Sequence, residues 1–495
     1  MFNGLKKIFD NIKNINNSVN NYKNETIIQS LPTVAYVNIA KKLIEEKKYD
    51  KALDTLISAI DISDKDPLVY KYLGKISEMQ KHFSQASYYY EKSAKLNSDD
   101  KEIWLRLGMS YLYSDVLDKA IECFEKADKI NPLNTDVFTG WGMAYMKQKK
   151  YAQARDKFNM ASKISKYNFT AILLSAVMEM RLKEYSIADE KLTFLVKVAP
   201  NEGSLYEYSH LRLIQGNLKE AELYAQRTLE MNRFMMPAYL ILGEIYSLQK
   251  DTQKTYEVFE EAINKKLENS VLHFDWGKAC VRLLDFDKAE EQFKMVLDGD
   301  KDYSDAQIGL ALINSYKGNF ELLSKLKEKN ANNVYIQEAC GLEQMNKGNY
   351  KEAVEYFNKA LKTDSHQSYL YYDLALANIE LKNNYKVREY FEKFIRENPR
   401  YLKGYLDYAK WLIGMADFEE AKRKLTRAQN FAPENIELLN MLFYTHYTLV
   451  KKNICEYNIK VAISIAQDAQ NLGEFEYTPQ KQELEEMLKE LQLMS

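Results

Sequence analysis

Residues 104–132 read WLRLGMSYLYSDVLDKAIECFEKADKINP. Trp104, Leu107, Gly108 and Tyr111 fall at i, i+3, i+4 and i+7, so they share one face of a helix. Ala120, Phe124 and Ala127 mark the apolar face of a second helix. Pro132 closes it, because proline cannot donate an intrahelical hydrogen bond. The next stretch repeats the pattern with Phe138, Trp141, Gly142, Tyr145, Ala154, Phe158 and Ala161.

The period extends along the chain. A small residue recurs every 34 positions at Ala40, Gly74, Gly108, Gly142 and Ala176, and Ser209 follows after 33. Gly243, Gly277 and Ala311 return to 34, Gly341 arrives after 30, and Ala375 and Ala409 resume the period. Twelve residues after most of these stands a second small residue, among them Ala52, Ala86, Ala120, Ala154, Ala188, Ala221, Ala289, Ala353 and Ala421. Two short helices that cross closely need a small residue on each side of the crossing. The aromatic set Phe124, Phe158, Phe259, Phe293, Phe357 and Phe391 shares one repeat position and fills the space toward the next pair.

These spacings resemble the tetratricopeptide repeat, whose eight signature positions are all filled in residues 104–132. The resemblance covers roughly residues 33 to 470. It implies an all-α fold, a right-handed α-solenoid of about 12–13 antiparallel helix pairs. Residues 33–200 supply repeats 1–5, 201–333 repeats 6–9 and 334–470 repeats 10–13. Repeat 9 is short, with Leu323 where a small residue is expected; Thr255 and Val387 break the same rule in repeats 7 and 11. A longer loop is expected around Lys451–Tyr457, and residues 471–495 read as a capping helix with the stripe Leu484, Met487, Leu488 and Leu491.

Composition narrows the function. The 69 basic and 71 acidic residues leave a net charge of −2, without the basic excess of a nucleic-acid binder. Cys123, Cys280, Cys340 and Cys455 form no CxxC, which argues against a zinc motif or a disulfide framework and for a reducing compartment. No apolar run approaches the roughly 20 residues of a membrane span, so a cytoplasmic protein is expected. His82, His210, His273, His366 and His446 fall in different repeats, and no P-loop, GxSxG or GxGxxG occurs. No enzyme and no cofactor is expected; the chain reads as an interaction scaffold or adaptor for protein or peptide partners.

In tetratricopeptide proteins the first helices line a concave face, and by that resemblance Asn38, Lys41, Lys71, Lys75 and Arg106 are candidate partner-binding residues. They suit an acidic segment or a C-terminal carboxylate. The set resembles the family's carboxylate clamp only loosely, since Val37 occupies one clamp lysine position. A solvated charged face is the alternative reading. Equivalent positions hold Asp275, Asp373 and Asp407, which suggests a groove running from basic to acidic. Residues 1–32 combine an apolar stripe (Phe2, Leu5, Ile8, Phe9, Ile12) with an asparagine-rich linker. The stripe suits a cap on the first repeat, or a helix docking on a partner or a membrane surface through residues 1–20. A peripheral membrane adaptor and a regulatory subunit of an enzyme complex are the competing functions.

Overall fold

The structure, a computed structural model, describes residues 31–364, 367–473 and 475–494. The stripe from Phe2 to Ile12, the asparagine-rich linker and His366 lie outside the described residues. Among the described residues there are 27 helices and no strand. The described residues divide into two compact parts, one ending at Arg233 and the other beginning at Phe234.

The N-terminal part holds six antiparallel pairs: α1 (Leu31–Glu45) with α2 (Tyr49–Ile62), α3 (Pro67–Met79) with α4 (Phe83–Leu96), α5 (Ile103–Tyr113) with α6 (Leu117–Ile130), α7 (Thr135–Lys147) with α8 (Tyr151–Ile164), α9 (Phe169–Arg181) with α10 (Tyr185–Val198), and α11 (Glu202–Ile214) with α12 (Leu218–Met231). The C-terminal part holds seven: α13 (Met236–Leu248) with α14 (Thr252–Asn264), α15 (Ser270–Leu283) with α16 (Phe286–Gly299), α17 (Ser304–Tyr316) with α18 (Glu321–Leu326), α19 (Val334–Asn346) with α20 (Tyr350–Thr363), α21 (Leu370–Glu380) with α22 (Asn384–Glu397), α23 (Leu402–Gly414) with α24 (Phe418–Gln429), and α25 (Ile436–Lys452) with α26 (Glu456–Leu472). A last helix, α27 (Thr478–Met494), packs on α26.

Six of the crossings (at Gly74, Gly108, Gly142, Gly243, Gly277 and Gly341) are closed by an aromatic ring lying on the glycine. A Cβ added at Gly142 would come within 2.6 Å of the Phe158 ring, and one at Gly108 within 2.7 Å of Phe124. The same ring of Phe124 meets Gly140 of the following first helix at 2.7 Å. The wedge therefore touches two consecutive first helices and sets their separation, and it is wholly buried. Where the small residue is alanine, the wedge sixteen positions on is usually leucine: Ala40 with Leu56, Ala176 with Leu192, Ala409 with Leu425. Extra volume on one side is matched by lost volume on the other.

The turns inside the pairs are built alike. Lys149 adopts φ 59°, its N–H donates to the Met146 carbonyl at 2.9 Å, and the Lys150 N–H donates to the Tyr145 carbonyl at 3.0 Å. This is a Schellman termination. The left-handed position recurs at Lys47, Lys81, Asp115, Lys183, Gly216, Lys250, Leu284, Gly318, Gly348, Lys382 and Ala416. The next residue often caps the second helix as well: Asp251 and Asp285 accept from the Lys254 and Lys288 N–H groups at 3.0 Å. One residue thus ends one helix and starts another, which keeps the turn short.

Repeat 9 departs from the others. Its second helix, α18, has only 6 residues, and Leu323 is buried on it. Its first helix, α17, packs against α19, as α13 packs against α15 across a full-length α14. Repeats 7 and 11 keep second helices of 13 and 14 residues despite Thr255 and Val387, both fully buried. The longer loop expected at Lys451–Tyr457 is corrected: α25 continues through Lys452 and α26 begins at Glu456.

Candidate functional site

The predicted basic positions lie on α1, α3 and α5. Asn38 is exposed on α1, and Lys41 is half-buried there. The ammonium groups of Lys41 and Lys75 both stand over the Tyr72 ring, 5.2 and 5.9 Å from its centroid. Such cation–π contacts hold a lysine in place without neutralising it.

Lys71 and Arg106 have a different environment. Lys71 Nζ lies 2.8 Å from Asp100 and 2.9 Å from Glu102. Arg106 lies 2.6 Å from Glu102 and 3.2 Å from Glu78. Burial pushes the Glu102 carboxyl up, but hydrogen bonds from Lys71 and Arg106 outweigh it and hold the group down at about 2. The structure therefore brings Lys41 and Lys75 together at Tyr72, and engages Lys71 and Arg106 in an internal network. Sequence reading missed the three carboxylates. Only Glu102, four residues before Arg106 on the same helix face, carried a local signal.

The acidic run expected further along is corrected. Asp373 is buried, not free in a groove: it lies 2.7 Å from the Tyr316 hydroxyl. Glu338, equally buried, lies 2.5 Å from that same hydroxyl. Burial raises both carboxyls above their ordinary range, and Asp373 raises Glu338 further. Asp407 accepts from the Tyr372 hydroxyl at 2.5 Å, and Asp275 from Lys278 at 2.9 Å. Tyrosines and carboxyls on the first helices of repeats 9–12 thus bond to one another.

Other polar clusters sit inside the packing. Lys191 of α10 donates to Asn159 and Ser175 at 2.8 Å and pairs with Glu179. Ser175 is fully buried, so this lysine–serine contact has no route to a substrate. Cys123, Cys280 and Cys340 are buried, and burial pushes the thiols of Cys123 and Cys280 up to about 12, away from the reactive thiolate. Among the described residues, no group of three or more His, Cys, Asp or Glu side chains is placed to hold a metal ion. No described helix is long and apolar enough to cross a membrane.

Comparison with known proteins agrees with this geometry. The family model described as tetratricopeptide repeat matches residues 101–132 and 339–367. Those two stretches match the tetratricopeptide repeat, and the fold is a tetratricopeptide-type α-solenoid. The match falls on repeats 3 and 10 of the tetratricopeptide solenoid, whose other repeats carry the same helix pairs. The crystal structure of the APC/C hetero-tetramer Cut9–Hcn1 shares the fold, with a TM-score of 0.54 at 11% identity over 94% of this chain and 97% of that one. The DnaJ homolog subfamily C member 7 homolog of Dictyostelium discoideum is 29% identical over 157 residues, 31% of this chain and 26% of that protein. Human E3 SUMO-protein ligase RanBP2 is 29% identical over 79 residues, 16% of this chain and 2% of that protein. The chain thus spans about a quarter or less of the curated relatives it matches.

Proposed function

We propose that this tetratricopeptide solenoid is a non-catalytic scaffold that takes an acidic segment of a protein partner along α1, α3 and α5. The observation that supports it is the pair Lys41 and Lys75 over Tyr72, two ammonium groups that make no ion pair among the described residues. Lys71 and Arg106, held by Glu78, Asp100 and Glu102, act as the rigid floor of that surface, and Asn38 extends it on α1. Two adjacent cations beside an aromatic ring suit a carboxylate-bearing chain, which gains charge-assisted contacts. The four free thiols fit a reducing, cytoplasmic setting. The test is affinity capture from the native cell with the full chain beside a Lys41→Glu/Lys75→Glu variant. Partners retained equally by both proteins would rule out this surface.

A further inference from the structure

Six of the turns inside the helix pairs place a lysine at the left-handed position: Lys47, Lys81, Lys149, Lys183, Lys250 and Lys382. Five of these side chains are exposed, and Lys250 alone among the six is half-buried. Its ammonium donates to the Arg282 carbonyl at 2.7 Å and to the Ser368 hydroxyl at 3.2 Å, both neutral acceptors. The contact joins repeat 7 to the loop before α21, 118 residues further on.

Lys250 borders a cleft with two lobes of about 630 and 580 Å³, which share Thr252, Leu283, Leu284 and Tyr401. Each lobe is of the size that holds a small ligand or a few residues of peptide. The acids along the cleft are committed. Asp251 and Asp285 cap α14 and α16, and Asp287 pairs with Lys317 at 3.3 Å. Arg400 and Lys403 on the opposite wall are exposed and make no ion pair among the described residues. Lys250, Arg400 and Lys403 thus border the space with no carboxylate at ion-pair distance, although Glu397 acts on Lys250 and Asp373 on Lys403 from further off, and Leu283 and Leu284 supply aliphatic surface beside them.

We propose that this cleft, at the turns of the C-terminal part, binds a peptide segment carrying a carboxylate next to an aliphatic side chain. A carboxylate fits better than a phosphate, because the capping aspartates repel a dianion more strongly than a monoanion. The aliphatic neighbour occupies the leucine-lined wall. The site uses none of the groups on α1, α3 or α5, so it goes beyond the scaffold surface proposed above and stands or falls separately.

Lys250 supplies its own readout. Burial, then the nearby Arg282 guanidinium, lower its ammonium to about 8, so it acylates readily near that pH. The full chain is treated with limiting acetic anhydride at about pH 8, and modification of each lysine is read by mass spectrometry. The probe is a pool of peptides acetyl-(Leu/Ile)-(Asp/Glu)-(Leu/Ile)-Gly, compared with a C-terminally amidated Asn/Gln pool. The acidic pool is expected to slow acetylation of Lys250 about fivefold, as a site about four-fifths occupied would, while the amide pool leaves it unchanged. Arg400→Glu, at an exposed position, is expected to keep the melting temperature and lose most of the protection. Equal rates with both pools would overturn the proposal. So would equal slowing of Lys41 and Lys75, or protection by inorganic phosphate as strong as by the acidic pool.

Discussion

Glu338 and Asp373, on the first helices of repeats 10 and 11, share one hydroxyl: Tyr316 lies 2.5 Å from Glu338 Oε1 and 2.7 Å from Asp373 Oδ2. A single O–H proton cannot satisfy two ionised carboxylates, and both are buried. At neutral pH the pair therefore retains a proton, and it titrates as a unit. Tyr369 and Lys403 face it from the flanking segments.

This predicts a pH dependence of unexpected sign. The folded state holds protons that the unfolded chain releases in the ordinary carboxylate range, so it binds more protons over that interval. Stability is then full below the unfolded value of about 3.8, and it falls as pH rises through the folded value of about 7 for Asp373. The slope is at most about 1.4 kcal/mol per pH unit for each group. Urea denaturation at stepped pH is expected to show the decline for the wild type and a shallower one for Glu338→Gln. A wild-type stability that rises steadily from acid to neutral pH in the C-terminal part would contradict this.

The ring-on-glycine crossing predicts a pattern of repacking. Gly142→Ala forces a methyl to within 2.6 Å of Phe158 and is expected to cost about 1–3 kcal/mol by overpacking. Gly414→Ala meets nothing within 4 Å and is expected to be neutral or stabilising by up to about 1 kcal/mol. Adding Phe158→Leu to Gly142→Ala is expected to recover part of the loss, because Ala176 with Leu192 is the same pairing elsewhere in the chain. Thermal melts of the three variants check this.

The turn lysines predict a gain. Lys149 holds φ 59° at the Schellman position, where a side chain costs roughly 1 kcal/mol relative to glycine. Lys149→Gly is expected to stabilise the chain by up to about 1 kcal/mol, and Lys149→Val to destabilise it. Denaturation midpoints at unchanged slope measure both.

The internal ion network predicts that two of the basic groove residues act on stability. Lys71→Ala strands Asp100 and part of Glu102, and is expected to cost about 1 kcal/mol. Lys41→Ala removes no ion pair among the described residues, and its melting temperature is expected to stay near that of the wild type.

The fold was legible because packing recurs. Gly108, Ala120 and Phe124 report one crossing, and a similar set of sizes returns at most of the crossings, usually 34 residues on. The site was less legible, because charge pairing links residues with no common period. Arg106 reads as a free cation until Glu78, 28 residues earlier, is placed beside it. Asp373 reads as a groove carboxylate, yet it is buried against the Tyr316 hydroxyl, 57 residues earlier, a partner that no local spacing signals. Lysine at the turn positions gave no signal either, since helix-ending left-handed residues are usually glycine or asparagine.

The central claim is that partners engage the first helices of the N-terminal repeats. Hydrogen exchange of the full chain, alone and with a captured partner, tests it most directly. The account predicts slowed exchange in α1 and α3 around Lys41, Tyr72 and Lys75 when the partner is bound. Unchanged exchange throughout α1, α3 and α5 in a complex that forms stably would contradict it.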